Sequence, residues 1–141
     1  MKRLEPLKAV SLDHMNWTIS LAKNPNYLYV VVKGRFELSE FREMLDDVSS
    51  LKAGLPEYPV LFSDLEFDVS SVKKKDIAAA STHFVMKNPS LANSRVAIVM
   101  KTDEDLEIAD TWKMMTQPGS TAKLNLFRNE RKARKWLTQT A

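Results

Sequence analysis

Arg95-Val96-Ala97-Ile98-Val99-Met100 (RVAIVM) is an apolar run behind one leading Arg and flanked by polar residues. It reads as a central strand covered on both faces. Thr102, followed three residues later by Asp105, forms a capping box, and Asp103, Glu104 and Asp105 load the next helical turn with negative charge. That helix directs Leu106, Ala109, Trp112 and Met115 inward and stops at Pro118-Gly119. Lys123 to Phe127 alternates Leu124 and Leu126 with polar neighbours, a last strand. Asn129 then caps a final helix with Ala133, Trp136 and Leu137 on one face and Arg131, Lys132, Arg134 and Lys135 around the rest.

The same alternation extends upstream. Trp17 to Lys23 has period two, Asn24-Pro25-Asn26 breaks it, and Tyr27 to Lys33 (YLYVVVK) is β-branched and aromatic. The two runs predict an antiparallel hairpin whose second strand Gly34 ends. Leu38, Phe41, Leu45 and Val48 then place an apolar stripe on a helix with Ser39 as its expected N-cap and Gly54 at its close. Pro59 to Phe67 (PVLFSDLEF) predicts a buried strand at Val60 to Phe62. Ser70 and Ser71 are the expected caps of a further helix carrying Ile77, Ala80, Phe84 and Val85 inward and ending at Asn88-Pro89. The predicted order is β-β-α-β-α-β-α-β-α. It implies an α/β fold, a mixed five-stranded sheet with helices packed on it.

The 141 residues fit one core, expected over residues 15–141 behind an N-terminal extension at residues 1–14. A composition of 44% apolar and 28% charged residues excludes a disordered tract. Cysteine is absent, which removes disulfides, thiolate metal sites and a cysteine nucleophile. No apolar run approaches the roughly 20 residues that span a bilayer, and Met1 to His14 lacks a signal-peptide core; the expected location is cytoplasmic. A net charge of +3 is too small to imply a nucleic-acid partner. It is unevenly spread. Eight acids against Arg42 and Lys52 between Ser39 and Asp68 contrast with six bases against Glu130 between Lys123 and Ala141. With an apolar opening hairpin that leaves a sheet edge, this contrast predicts a homodimer.

Four features resemble the STAS superfamily (sulfate transporter and anti-sigma factor antagonist). They are the hairpin leading into Gly34-Arg35-Phe36 and its helix, Pro59-Val60-Leu61 leading to Asp64, the Arg95 to Val99 strand with its acidic helix, and Phe127-Arg128-Asn129-Glu130 with Ala133 and Trp136-Leu137. Within it the chain resembles a bacterial branch of small stand-alone domains related to the CRAL-TRIO lipid-binding fold. The resemblance implies a STAS-like, non-enzymatic regulatory or protein-interaction domain, with a small hydrophobic-ligand or lipid-binding module as the alternative. In anti-sigma antagonists a serine in an Asp-Ser-Ser-Gly-like turn is phosphorylated. The matching stretch here is Asp68-Val69-Ser70-Ser71-Val72, with an inserted Val and no Gly.

These readings name two candidate sites. The first is a partner-binding or phosphoacceptor surface of Asp68, Ser70, Ser71, Lys73, Lys74 and Lys75, where hydroxyls, ammonium groups and a helix start favour an anionic group. The second is a ligand pocket at Trp112, Met114 and Met115, since Met side chains adapt to varied apolar shapes. Neither a catalytic residue, a metal nor a cofactor is implied. His14 and His83 are the only histidines, and the three glycines are too scattered for a phosphate loop. Asp64, Glu66 and Asp68 alternate along an extended segment, so three carboxylates are expected on one side.

Overall fold

The computed structural model describes residues 14–139; the expected extension over residues 1–14 lies, His14 apart, outside them. The elements run β1 (Asn16–Ala22), β2 (Tyr27–Arg35), α1 (Leu38–Ala53), β3 (Val60–Asp68), α2 (Lys74–Lys87), β4 (Arg95–Met100), α3 (Asp103–Thr116), β5 (Lys123–Phe127) and α4 (Glu130–Leu137). This is the predicted order.

Spatial order follows chain order, β1-β2-β3-β4-β5. β1 and β2 pair antiparallel, Trp17 opposite Val32 and Ile19 opposite Val30, and every later pair is parallel. When successive parallel strands step one way across a sheet with crossovers of one hand, the crossover helices share a face. The packing agrees. Met44, Leu45 and Val48 of α1, Phe84 of α2 and Ala109 of α3 join Val30, Val60, Phe62 and Ile98 in one core. Among the described residues the opposite face carries only α4, where Ala133 and Leu137 meet Tyr27, Leu61, Ala97 and Val99. β4 is buried from Val96 to Met100.

The acidic α1 and the basic α4 therefore lie on opposite faces of the sheet. On the α4 face, Glu130 accepts from Tyr29 Oη at 2.7 Å and from Ser63 Oγ at 2.5 Å. Burial, then Glu130, pushes the Tyr29 phenol above its ordinary pKa.

Four local expectations are corrected. Gly34 does not end β2: it lies inside the strand at φ +87, where an added Cβ would run into the His14 carbonyl. Glu37, extended at φ −135, is the N-cap of α1, and its carbonyl receives the Phe41 N–H; Ser39 sits exposed in the first turn. β3 spans nine residues because it pairs with β2 as far as Asp68. Ser70 and Ser71 precede α2 without capping it. Asp68 Oδ1 takes both the N–H and the hydroxyl of Ser70, and Asp76 Oδ2 accepts the Lys73 N–H from within the helix.

Candidate functional site

β3 determines what faces the three-helix layer. Val31 pairs with Ser63, but Lys33 pairs with Glu66, so β3 carries one residue more than β2 across this interval. Such a bulge inverts the alternation beyond it. Val60, Phe62 and Asp64 point into the three-helix layer, and beyond the bulge Phe67 and Val69 do so as well. Glu66 stands exposed beside Lys33, at 3.9 Å, and Asp68 is exposed. The expected one-sided row of three carboxylates is thus split, with Asp64 separated from the other two.

Asp64 reaches a pocket of about 80 Å³ between the sheet and the three helices. From the sheet the pocket receives Phe62, Phe67, Ile98 and Met100; from the helices it receives Met44, Ile77, Ile108 and Trp112. Phe36 and Phe41 also line it, their rings 5.4 Å apart. The Trp112 ring is held edge-to-face against Phe84 at 5.2 Å between centroids.

Two polar atoms on these walls stand out. Asp64 Oδ1 and Trp112 Nε1 are buried and have no hydrogen-bond partner among the described residues. Asp64 is 8% exposed. Burial, with the Asp105 carboxylate as a second cause, pushes its carboxyl up to about 7. A carboxylic acid in such a site exists in both protonation states near neutrality, so it can donate as well as accept a hydrogen bond.

Of the residues expected to form a pocket, Trp112 lines this one. Met114 and Met115 do not: they are 68% and 43% exposed, on the outer side of α3. Met114, two positions from Trp112, lies roughly 200° round the helix from it, whereas Met115, three positions on and expected inward by spacing, is exposed in the last turn of α3. Missing from the sequence reading were the Phe cluster and the isolation of Asp64. A carboxylate inside the apolar run PVLFSDLEF was the available signal.

The second expected site stays together as a surface segment. Ser70, Ser71, Lys73, Lys74 and Lys75 are all exposed, as is Asp68. The hydrogen bonds from Ser70 to Asp68, side chain first, hold that carboxyl below its ordinary pKa. Between these exposed residues, Val69 and Val72 turn inward and line the pocket. The segment is therefore its outer wall. Elsewhere, His83 bonds Asp46 at 2.7 Å, tying α2 to α1, and His14 lies 3.4 Å from Glu40. No helix among the described residues is long and apolar enough to cross a membrane.

No family model matches the chain, and no curated protein matches it. Among solved structures it is similar to an uncharacterized protein of the DUF3478 family with a SpoIIAA-like fold from Shewanella loihica PV-4. The TM-score is 0.56 and the identity 19%, over 87% of this chain and 93% of that one. The fold is thus SpoIIAA-like, in keeping with the STAS-like architecture expected from the sequence; at that identity the likeness extends to architecture alone.

Proposed function

We propose that this chain is a non-enzymatic binding domain whose pocket takes a small, mainly apolar molecule. The observation that carries the reading is the pair of buried, unpartnered atoms, Asp64 Oδ1 and Trp112 Nε1, on walls that are otherwise almost entirely apolar. Each such group costs about 1–3 kcal/mol when left unsatisfied. Packing alone would be served better by an apolar residue at either position. An apolar hollow with a few convergent polar groups and a perturbed carboxyl is the ordinary form of a small-molecule site.

Size narrows the class. An apolar cavity of about 150 Å³ admits benzene, and the pocket here is about 80 Å³. A molecule of a few heavy atoms fits with little movement, and flexible Met44 and Met100 in the wall can yield to a slightly larger one. A full acyl chain does not fit without displacing a helix, so the geometry favours the small-ligand alternative over a lipid-carrying one. The test is a titration with xenon and with isopentane, followed by the methyl resonances of Ile77, Ile98 and Ile108. Saturable shifts are expected there, with Ile19 on β1 unmoved. Absence of saturable shifts at these methyls would refute the reading.

The protein-contact reading attaches to the pocket's outer wall. Because Val69 and Val72 face the pocket while Ser71 and Lys73 to Lys75 face solvent, an occupant that presses on the two valines bears on the exposed segment. Ionised Asp68 beside Ser70 disfavours a phosphate on that hydroxyl, and the three exposed lysines can attract an anionic group on a partner. Replacing Lys73 to Lys75 by Gln should reduce co-purification of any such partner while leaving the melting temperature unchanged. Unchanged partners would sink this second reading.

A further inference from the structure

The ligand-binding reading leaves open which head group the molecule carries, and the two unpartnered atoms differ in kind. Trp112 Nε1–H only donates, whereas the Asp64 carboxyl accepts in either protonation state and donates when protonated. Resting on that reading, we infer that the occupant bears a single hydroxyl on a small branched or cyclic apolar body, the hydroxyl oxygen accepting from Trp112 Nε1 and its proton going to Asp64 Oδ1.

Three alternatives are each matched less well. An ammonium can donate to Asp64 but has no lone pair for the indole N–H, which stays buried and unsatisfied. A carboxylate can accept from Trp112, and from Asp64 only while that acid is protonated, but its charge then faces Asp76 on the pocket wall and nearby Asp105; among the described residues no Lys, Arg or His lines the pocket to offset them. A plain hydrocarbon satisfies neither atom. A hydroxyl is both donor and acceptor through one oxygen, and it suits either protonation state of the facing acid. A site built to hydrogen-bond a substrate hydroxyl also rejects the analogue lacking it far more strongly than a hydrophobic wall rejects a missing methylene. The body is set by the remaining space, with Phe62, Phe67 and Ile98 on the sheet side and Ile77 and Ile108 opposite.

The test compares four molecules of matched shape on the full chain: isobutanol, isopentane, isobutylammonium and isobutyrate. Binding is read from the Trp112 indole N–H resonance and the Ile77, Ile98 and Ile108 methyls. Isobutanol is expected to bind at least tenfold tighter than each of the other three, with a downfield shift of the indole proton. In Trp112→Phe, which keeps an aromatic ring but no N–H, the preference for isobutanol over isopentane should fall about tenfold. Equal binding of isobutanol and isopentane would overturn the head-group assignment, as would be the case if ordered water served both atoms, and would leave the ligand-binding reading standing. Tightest binding of isobutylammonium would likewise overturn it. If none of the four binds, both fail. A preference unchanged in Trp112→Phe would remove Trp112 from the assignment.

Discussion

Replacing Asp64 by Asn tests the electrostatics of the pocket directly. Asn keeps the shape and an acceptor oxygen but carries no titratable proton. The Asp64 carboxyl moves from 3.8 to about 7 on folding, chiefly through burial and secondarily through Asp105. At about 1.4 kcal/mol per pH unit this corresponds to roughly 4 kcal/mol, a figure that water entering the pocket would reduce. The sign follows from proton binding. Below pH 4 the group is protonated in both states and costs nothing. Between pH 4 and pH 7 the unfolded chain has released its proton while the folded chain still holds it, so stability falls as pH rises; above pH 7 the full penalty is present. Asp64→Asn should therefore gain on the parent by roughly 3 kcal/mol between pH 4.5 and pH 8, part of the penalty being already present at the lower pH, read from urea unfolding of both proteins at several pH values. The lowered Asp46 carboxyl, remote from the substitution, contributes alike to both proteins and cancels in the difference. A stability difference that stays constant with pH would refute the reasoning.

Three further substitutions probe the sheet and its α4 face. Gly34→Ala should lower stability by more than about 2 kcal/mol in thermal unfolding, because the positive φ costs about 1–3 kcal/mol for a side-chain residue and the new methyl meets the His14 carbonyl; an unchanged melting temperature would contradict it. Glu130→Ala leaves the Ser63 hydroxyl without its partner on the α4 face and should cost about 1–3 kcal/mol, with Tyr29 titrating closer to its ordinary value in a spectrophotometric pH titration. Trp136→Ala removes a half-buried ring lying 5.8 Å from Phe127 and 5.6 Å from the Arg95 guanidinium. The expected loss is about 2 kcal/mol by urea unfolding, below the about 3–5 kcal/mol of a fully buried aromatic; a loss near zero would show that α4 does not depend on it.

The order of elements was legible because each helix announces itself by apolar spacing and each strand by an apolar or alternating run. RVAIVM forms its strand as expected, and Thr102 caps α3 by accepting the Asp105 N–H, without the return bond from the Asp105 side chain that a full capping box has. Illegible were features that depend on pairing between distant segments. The β3 bulge exists only relative to β2, so no pattern within PVLFSDLEF reveals that Asp64 and Phe67 share a face. The positive φ of Gly34 answers to His14, twenty residues earlier, and reads locally as a strand end. Ser70 and Ser71 suit a helix cap by residue type, yet Asp68 captures Ser70 first and delays the helix to Lys74. At the pocket, Trp112 was legible as an inward position of α3, whereas its unpartnered nitrogen is a property of the assembled walls.

The central claim is that the space beneath α3 receives a small ligand through Asp64 and Trp112. A crystal structure of the protein grown with isobutanol addresses it at the atoms concerned. The account predicts ligand density bounded by Phe62, Met100 and Trp112, with its oxygen within about 3 Å of both Trp112 Nε1 and Asp64 Oδ1. A saturated crystal with the alcohol bound only outside this pocket, or with the pocket holding water alone, would contradict it.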